Sequence, residues 1–174
     1  MPKKLLVVDG YNVLRSGHYY DEVRERMPDF GDEAFNAARD ALINDVAVFA
    51  GSDYKAVVVF DGGGNQFSDG HPTRVGGVEV IFSPAGVMAD YVIEERAKQA
   101  ANKGWEVLVV TSDATTQWTV FSGKVTRMSA AGFYRELKMI HATDHQPGQA
   151  VSPKNTLGER LSPEVLKELR ERFG

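Results

Sequence analysis

Three apolar runs in this chain each end in an aspartate. Leu5-Leu6-Val7-Val8 runs into Asp9, and Val57-Val58-Val59-Phe60 runs into Asp61. Val107-Leu108-Val109-Val110 runs through Thr111 and Ser112 into Asp113. Asp90 opens a later amphipathic stretch, and Glu94 follows at the four-residue spacing that shares one helical face. Each acid taken alone has an ordinary explanation, either a strand-end turn or a first-turn acid favoured by the helix dipole. Gathered in one crevice they repel one another, so one must take up a proton or a cation must neutralise them. A hard divalent ion such as Mg²⁺ or Mn²⁺ suits an all-oxygen donor set. Gly10 lets the chain turn sharply after Asp9, and Asn12 adds a neutral donor and acceptor one turn on.

The elements that would position these acids follow from the same runs. Short β-branched runs closed by polar or glycine-rich segments are buried strands of a parallel sheet, and ligands of open α/β sheets bind outside the carboxyl ends of the strands. Strands are expected over Lys4–Val8, Ala56–Phe60, Val78–Phe82 and Glu106–Val110. A helix is expected over Asp32–Phe49, where Phe35, Ala38, Leu42, Val46 and Phe49 recur at helical spacing. Others are expected over Ala89–Asn102, stopped by Gly104, and over 114–121 and 129–140. Asp61–Gly77 is expected to be a glycine-rich loop. The alternation implies an α/β fold with a mainly parallel central sheet and helices on both faces. The domain is expected to span 1–141. A Gly-, Pro- and Thr-rich connector over 142–160 and a terminal helix within 161–174 follow, the helix headed by Ser162-Pro163-Glu164 and expected to dock on the same domain.

Composition narrows the class. There is no cysteine, which excludes disulfides, zinc–thiolate sites and thiol nucleophiles. No apolar run approaches the ~20 residues that span a bilayer, and the apolar run after Met1-Pro2-Lys3-Lys4 is too short for a signal peptide. A cytoplasmic protein without a membrane partner is the expectation. Charge is unevenly spread: residues 1–95 carry a net −8 and residues 96–174 a net +4. An acidic centre with an anion-binding rim is what a protein that cuts a polyanion needs. Several other motifs fail. Gly62-Gly63-Gly64-Asn65 lacks the ending of a phosphate-binding P-loop. Ser112 has no histidine nearby in sequence. The positions two after Asp9, Asp61 and Asp113 are Tyr11, Gly63 and Thr115, without the second aspartate of phosphoaspartate enzymes.

The ordered set Asp9-Gly10-Tyr11-Asn12, Ala38-Arg39-Asp40, Val59-Phe60-Asp61 and Val78–Phe82 resembles the YacP-like branch of the NYN nucleases. Ala89-Asp90 with Glu94, Thr111-Ser112-Asp113 with Gln117, Arg127 before Ser129-Ala130, and Leu161–Lys167 continue the resemblance over nearly the whole chain. Met88 stands where the family usually has threonine, and Lys124-Val125-Thr126 replaces a usual glycine-alanine. The resemblance implies a PIN-like, Rossmann-like three-layer sandwich. It also implies a metal-dependent endoribonuclease acting on single-stranded RNA, in this branch mRNA on the ribosome.

On that reading Asp9, Asp90 and Asp113 are the main metal-binding acids, Asp61 and Glu94 the next, and Asn12 holds a ligand or the scissile phosphate. Ser112, Gln117, Lys124, Arg127 and Arg135 are the expected RNA contacts. Tyr11, Tyr19 and Tyr20 could stack on unpaired bases. The competing reading is a catalytically inactive RNA- or ribosome-binding module of the same fold.

Overall fold

The computed structural model describes residues 3–25, 32–63, 68–113 and 123–144. Their elements, in chain order, are β1 (Lys4–Asp9), α1 (Gly10–Arg15), α2 (Asp21–Glu25), α3 (Asp32–Ala50), β2 (Tyr54–Phe60) and β3 (Thr73–Val75). Then come β4 (Val78–Phe82), α4 (Ala89–Asn102), β5 (Glu106–Val110), β6 (Val125–Met128) and α5 (Ala130–Asp144). The six strands form one sheet in the order β3-β4-β2-β1-β5-β6. All neighbours are parallel except β3 and β4.

Strand alternation divides the apolar side chains between two cores. Leu6, Val8, Val58, Phe60, Val80 and Val110 face one side, against α1, α3 and α5. Leu5, Val7, Val57, Val59, Ile81, Val107 and Val109 face the other, against α4. Both faces are covered, which is why the central strands are apolar at consecutive positions. The α4 contribution is Ala89, Ile93, Ala97, Ala100 and Ala101, mostly methyl groups that let the helix lie close to the sheet. On α3, Ala38, Leu42 and Val46 are buried and Phe49 packs at the core edge. The Phe35 side chain is outside the described set. The result is the expected α/β three-layer sandwich.

β1 sits at the centre. The chain runs from β1 to β2 and β4 on one side, then returns to β5 and β6 on the other. That reversal is a topological switch point, and the crevice it opens lies at the carboxyl end of β1, where Asp9 stands.

Four local expectations need correction. Asp61–Gly77 is not all loop, because β3 pairs with β4 as a hairpin closed by Gly76-Gly77, both at positive φ (55° and 84°). A Gly-Gly pair between two valines is a recognised hairpin signal. Lys124-Val125-Thr126, expected in a substrate loop, instead enters a sixth strand, in register with β5 from Val107↔Val125 to Val110↔Met128. Asp9 is followed by the short helix α1 rather than by a simple turn. Finally, α5 continues to Asp144, past the expected break after His141. The chain divides into a compact unit, Met1–His141, and a second, Ala142–Gly174. The expected helix over 114–121, most of the connector and the terminal helix lie outside the described residues.

Candidate active site

Asp9 ends the central strand and is only 8% exposed. Burial pushes its carboxyl up, and the neighbouring charge of Asp90 pushes it further. The backbone at Asn12 and the Thr111 hydroxyl offset part of this, Asp113 adds a smaller push, and the pKa rises from 3.8 to about 6. Asp90, in the first turn of α4, is raised by burial and then by the charges of Asp113 and Asp61. Four aspartates from four segments distant in sequence thus act electrostatically on one another at the carboxyl edge of the sheet.

The turn after β5 is stapled from several directions. The buried Thr111 hydroxyl donates to Asp9 Oδ2 (3.3 Å) and accepts from the Asp113 N–H (3.1 Å). Asn12 Oδ1 accepts from the Ser112 N–H (2.7 Å). Ser112 Oγ accepts from the Ala130 N–H at the start of α5 (3.2 Å). Arg127 Nη1 donates to the Thr111 carbonyl (3.1 Å). Ser112, expected as an RNA contact, here caps a helix, and Arg127 holds the turn that carries Asp113.

Asp9, Tyr11, Asn12, Arg15, Asp61, Met88, Asp90 and Asp113 line one cleft of about 570 Å³. Asp61 is fixed locally, its Oδ1 accepting from the Gly63 N–H (2.7 Å). Glu94 is half-buried on α4 and is not among the cleft-lining residues. Among the described residues, no group of three or more His, Asp or Glu side chains stands close enough to share one ion. The donor chemistry still fits a hard divalent cation. All four carboxylates offer oxygen, two carry pKa values raised partly by their neighbours' charge, and Mg²⁺ commonly takes only one or two carboxylates directly, the rest through water.

The expected basic rim is largely elsewhere. Lys124 precedes β6, which runs parallel to β5, so it stands at the amino end of the sheet, and its Nζ donates to the Gly104 carbonyl (3.4 Å). Arg74 lies on the β3 hairpin at that same end. Arg135 is exposed on α5 and does not line the cleft. Gln117 lies outside the described residues. Tyr20 is buried and donates to Asp45 Oδ2 (2.8 Å), so it is no base platform. Tyr19, 41% exposed, stacks on Tyr134 at 3.7 Å.

The cation that does line the cleft is Arg15, whose guanidinium lies over the Tyr11 ring at 5.6 Å from its centroid. Tyr11 is braced from behind by Arg39 Nη1 (3.1 Å to its hydroxyl) and by Phe60. The i,i+4 spacing of Tyr11 and Arg15 was the available signal, usable once a helix after Asp9 is recognised. Arg15→Ala is therefore expected to weaken RNA binding and lower the salt slope by about one, as loss of one phosphate contact does. Arg127→Ala should leave that slope unchanged while destabilising the fold. A salt titration of both variants checks the pair.

Met88 occupies the N-cap of α4 at φ −71°, ψ 145°, with no side-chain cap hydrogen bond, and is 66% exposed. The backbone is already in the extended geometry that a capping hydroxyl needs. Met88→Thr is expected to add about 1 kcal/mol of stability, read as a higher denaturation midpoint at unchanged slope.

The chain and its fold are shared with known proteins. YacP of Bacillus subtilis (strain 168) is 31% identical over 169 residues, covering 94% of this chain and 92% of its own. The crystal structure of Rae1 (YacP) from Bacillus subtilis superposes with a TM-score of 0.59 at 28% identity, covering 97% of this chain and 83% of that one. The crystal structure of a mutant form of the same Bacillus protein superposes with a TM-score of 0.58 at 30% identity, over 80% and 78% of the two chains. Residues 6–173 match the YacP-like NYN domain, and the chain belongs to that family, whose character is nuclease-like and RNA-related.

Proposed function

We propose that this protein is a Mg²⁺- or Mn²⁺-dependent endoribonuclease that hydrolyses phosphodiester bonds of single-stranded RNA, with mRNA on the cytoplasmic ribosome as its working substrate. The observation that carries this reading is the set of four aspartates lining one cleft at the switch point of the sheet. Two of Asp9, Asp90 and Asp113 would hold the ion directly, with the third and Asp61 joining through water. An ion held there supplies Lewis-acid polarisation of the phosphate and a lowered pKa for water. The chain's own residues do the rest. Thr111 orients the Asp9 carboxylate and ties it to the Asp113 backbone. Asn12 keeps the β5 turn against α1. Arg15 offers the cleft a guanidinium for a flanking phosphate, and Tyr11 offers a ring face for an unpaired base.

Hydrolysis by water does not use the RNA 2′-hydroxyl as nucleophile, so the products should carry 5′-phosphate and 3′-hydroxyl ends. End analysis of RNA cut alone and in translating ribosome complexes tests both parts of the reading. 2′,3′-cyclic phosphate ends would contradict the mechanism. Equal cutting of free and ribosome-bound RNA would remove the ribosome from the substrate. The spacing of the carboxylates, too wide among the described residues for three to share an ion, favours the second reading of a non-catalytic RNA-binding module. Binding without cuts is its signature.

A further inference from the structure

The end of the sheet opposite the aspartates carries a second cavity, of about 340 Å³, lined by the amino-terminal parts of β1 and β2, the β3–β4 hairpin and the last turns of α4. Its charged lining is the reverse of the first. Lys55, Arg74, Arg96 and Lys103 face a single carboxylate, Glu79, in a chain whose formal net charge is −4. Arg96 Nη2 and Glu79 Oε1 are 2.9 Å apart, which fixes one guanidinium plane against the sheet. The other three cations are exposed. Trp105 closes one side. Its indole is half-buried, with the Lys55 ammonium 5.3 Å and the Lys3 ammonium 5.4 Å from the ring centroid.

We propose that this cavity binds a nucleoside phosphate, its base against the Trp105 indole and its phosphate among Lys55, Arg74 and Lys103. The volume falls within the range of small-ligand pockets. An aromatic face takes any base by stacking, and surrounding ammonium and guanidinium groups take the phosphate. A cationic ligand meets like charge here, and a neutral apolar one leaves the cations unpaired. Among the described residues the lysines over the indole make only cation–π contacts, so they can swing to a phosphate as a base takes the ring face. The same chemistry is presented by a free mononucleotide and by the phosphorylated end of an RNA strand. The site stands or falls independently of the nuclease reading, because none of its residues lines the aspartate cleft.

The chain has two tryptophans, so Trp118→Phe leaves Trp105 as the single emitter. This protein, carrying Asp9→Asn to prevent cutting, is titrated with 5′-AMP, with inorganic phosphate and with a short 5′-phosphorylated oligoadenylate. Calorimetry with Trp118 intact gives the same affinities should the fluorescence variant fold poorly. Saturable quenching by AMP is expected, with affinity about tenfold or more weaker in Lys55→Ala/Lys103→Ala. Quenching by the oligoadenylate but not by AMP would still support the site and make an RNA end its ligand. The proposal is overturned by binding that the double variant leaves unchanged, by binding of inorganic phosphate as tight as that of AMP, or by no binding of AMP or oligoadenylate.

Discussion

Replacing Asp9 by asparagine is expected to cut RNA cleavage severely and, at the same time, to make the metal-free protein more stable above pH 6. The two effects share one cause. Asp9 is buried at the centre of the sheet beside Asp90 and Asp113, and its pKa rises from 3.8 to about 6. A carboxyl raised on folding binds its proton more tightly in the folded state than in the unfolded chain. Between pH 4 and 6 the folded state therefore holds the extra proton, and stability falls as pH rises through that window. Above pH 6 the full penalty is present, on the order of 2–3 kcal/mol.

The amide keeps the shape and removes the charge, so the Asp9→Asn advantage should appear at pH 8 and vanish at pH 4. Cleavage should fall on the order of 10³-fold, as expected when a central group of an electrostatic site is lost. Denaturation curves at the two pH values check the first effect. Mg²⁺ should stabilise the wild type at pH 8 by mass action and leave the variant unmoved.

Gly62→Ala carries the second large expected effect, and it acts through packing. Gly62 is buried, and its N–H donates to Ser83 Oγ (2.9 Å). A Cβ at this position would lie 2.1 Å from the Ser83 carbonyl oxygen and 2.6 Å from Ser68 Oγ. The Ser68 hydroxyl itself donates to that carbonyl (2.8 Å), so neither neighbour can step aside without breaking a hydrogen bond. The backbone must move, and Asp61 moves with it. The expected cost is about 3 kcal/mol, a fall in Tm of roughly 10 °C, with cleavage impaired as well. Gly63→Ala is the control. Its Cβ would meet only the exposed Asp61 carboxylate, which can rotate into solvent at the cost of one solvent-exposed hydrogen bond and without backbone movement, so its stability loss should be below about 1 kcal/mol while cleavage still suffers. Similar Tm values for the two variants would refute the clamp at Gly62.

The parts of the fold that could be read from the residues are those with long apolar runs. β1, β2 and β5 are buried on both faces along their apolar runs, each of which leads to an aspartate, and β4 was legible from its alternation, Val78-Glu79-Val80. The α4 limits, Ala89 and Asn102, were legible for the same reason, through a clear periodicity and a glycine stop. β3 and β6 were not, because each is a short strand at a sheet edge with mostly exposed side chains.

Missing β6 had a consequence for the site. Lys124 was expected among the RNA contacts, yet the parallel register carries it to the end of the sheet away from the aspartates. Arg15 was hidden in the opposite way, since a six-residue helix gives too little pattern to announce itself. The aspartates were legible because strand ends in a parallel sheet converge whatever joins them. The hydrogen bonds that aim them, from Thr111, Asn12, Ser112 and Arg127, depend on tertiary contacts up to 102 residues apart.

The most direct measurement is cleavage of 5′-labelled single-stranded RNA, free and in translating ribosome complexes, with Mg²⁺ or Mn²⁺ and with chelator. Wild type is run beside Asp9→Asn and Asp90→Asn, each first shown to be folded. The predicted result is metal-dependent cutting by the wild type that is lost in both variants. Cutting that persists in both, or RNA binding by a wild type that never cuts in either metal, would contradict the aspartate cleft as a nuclease centre.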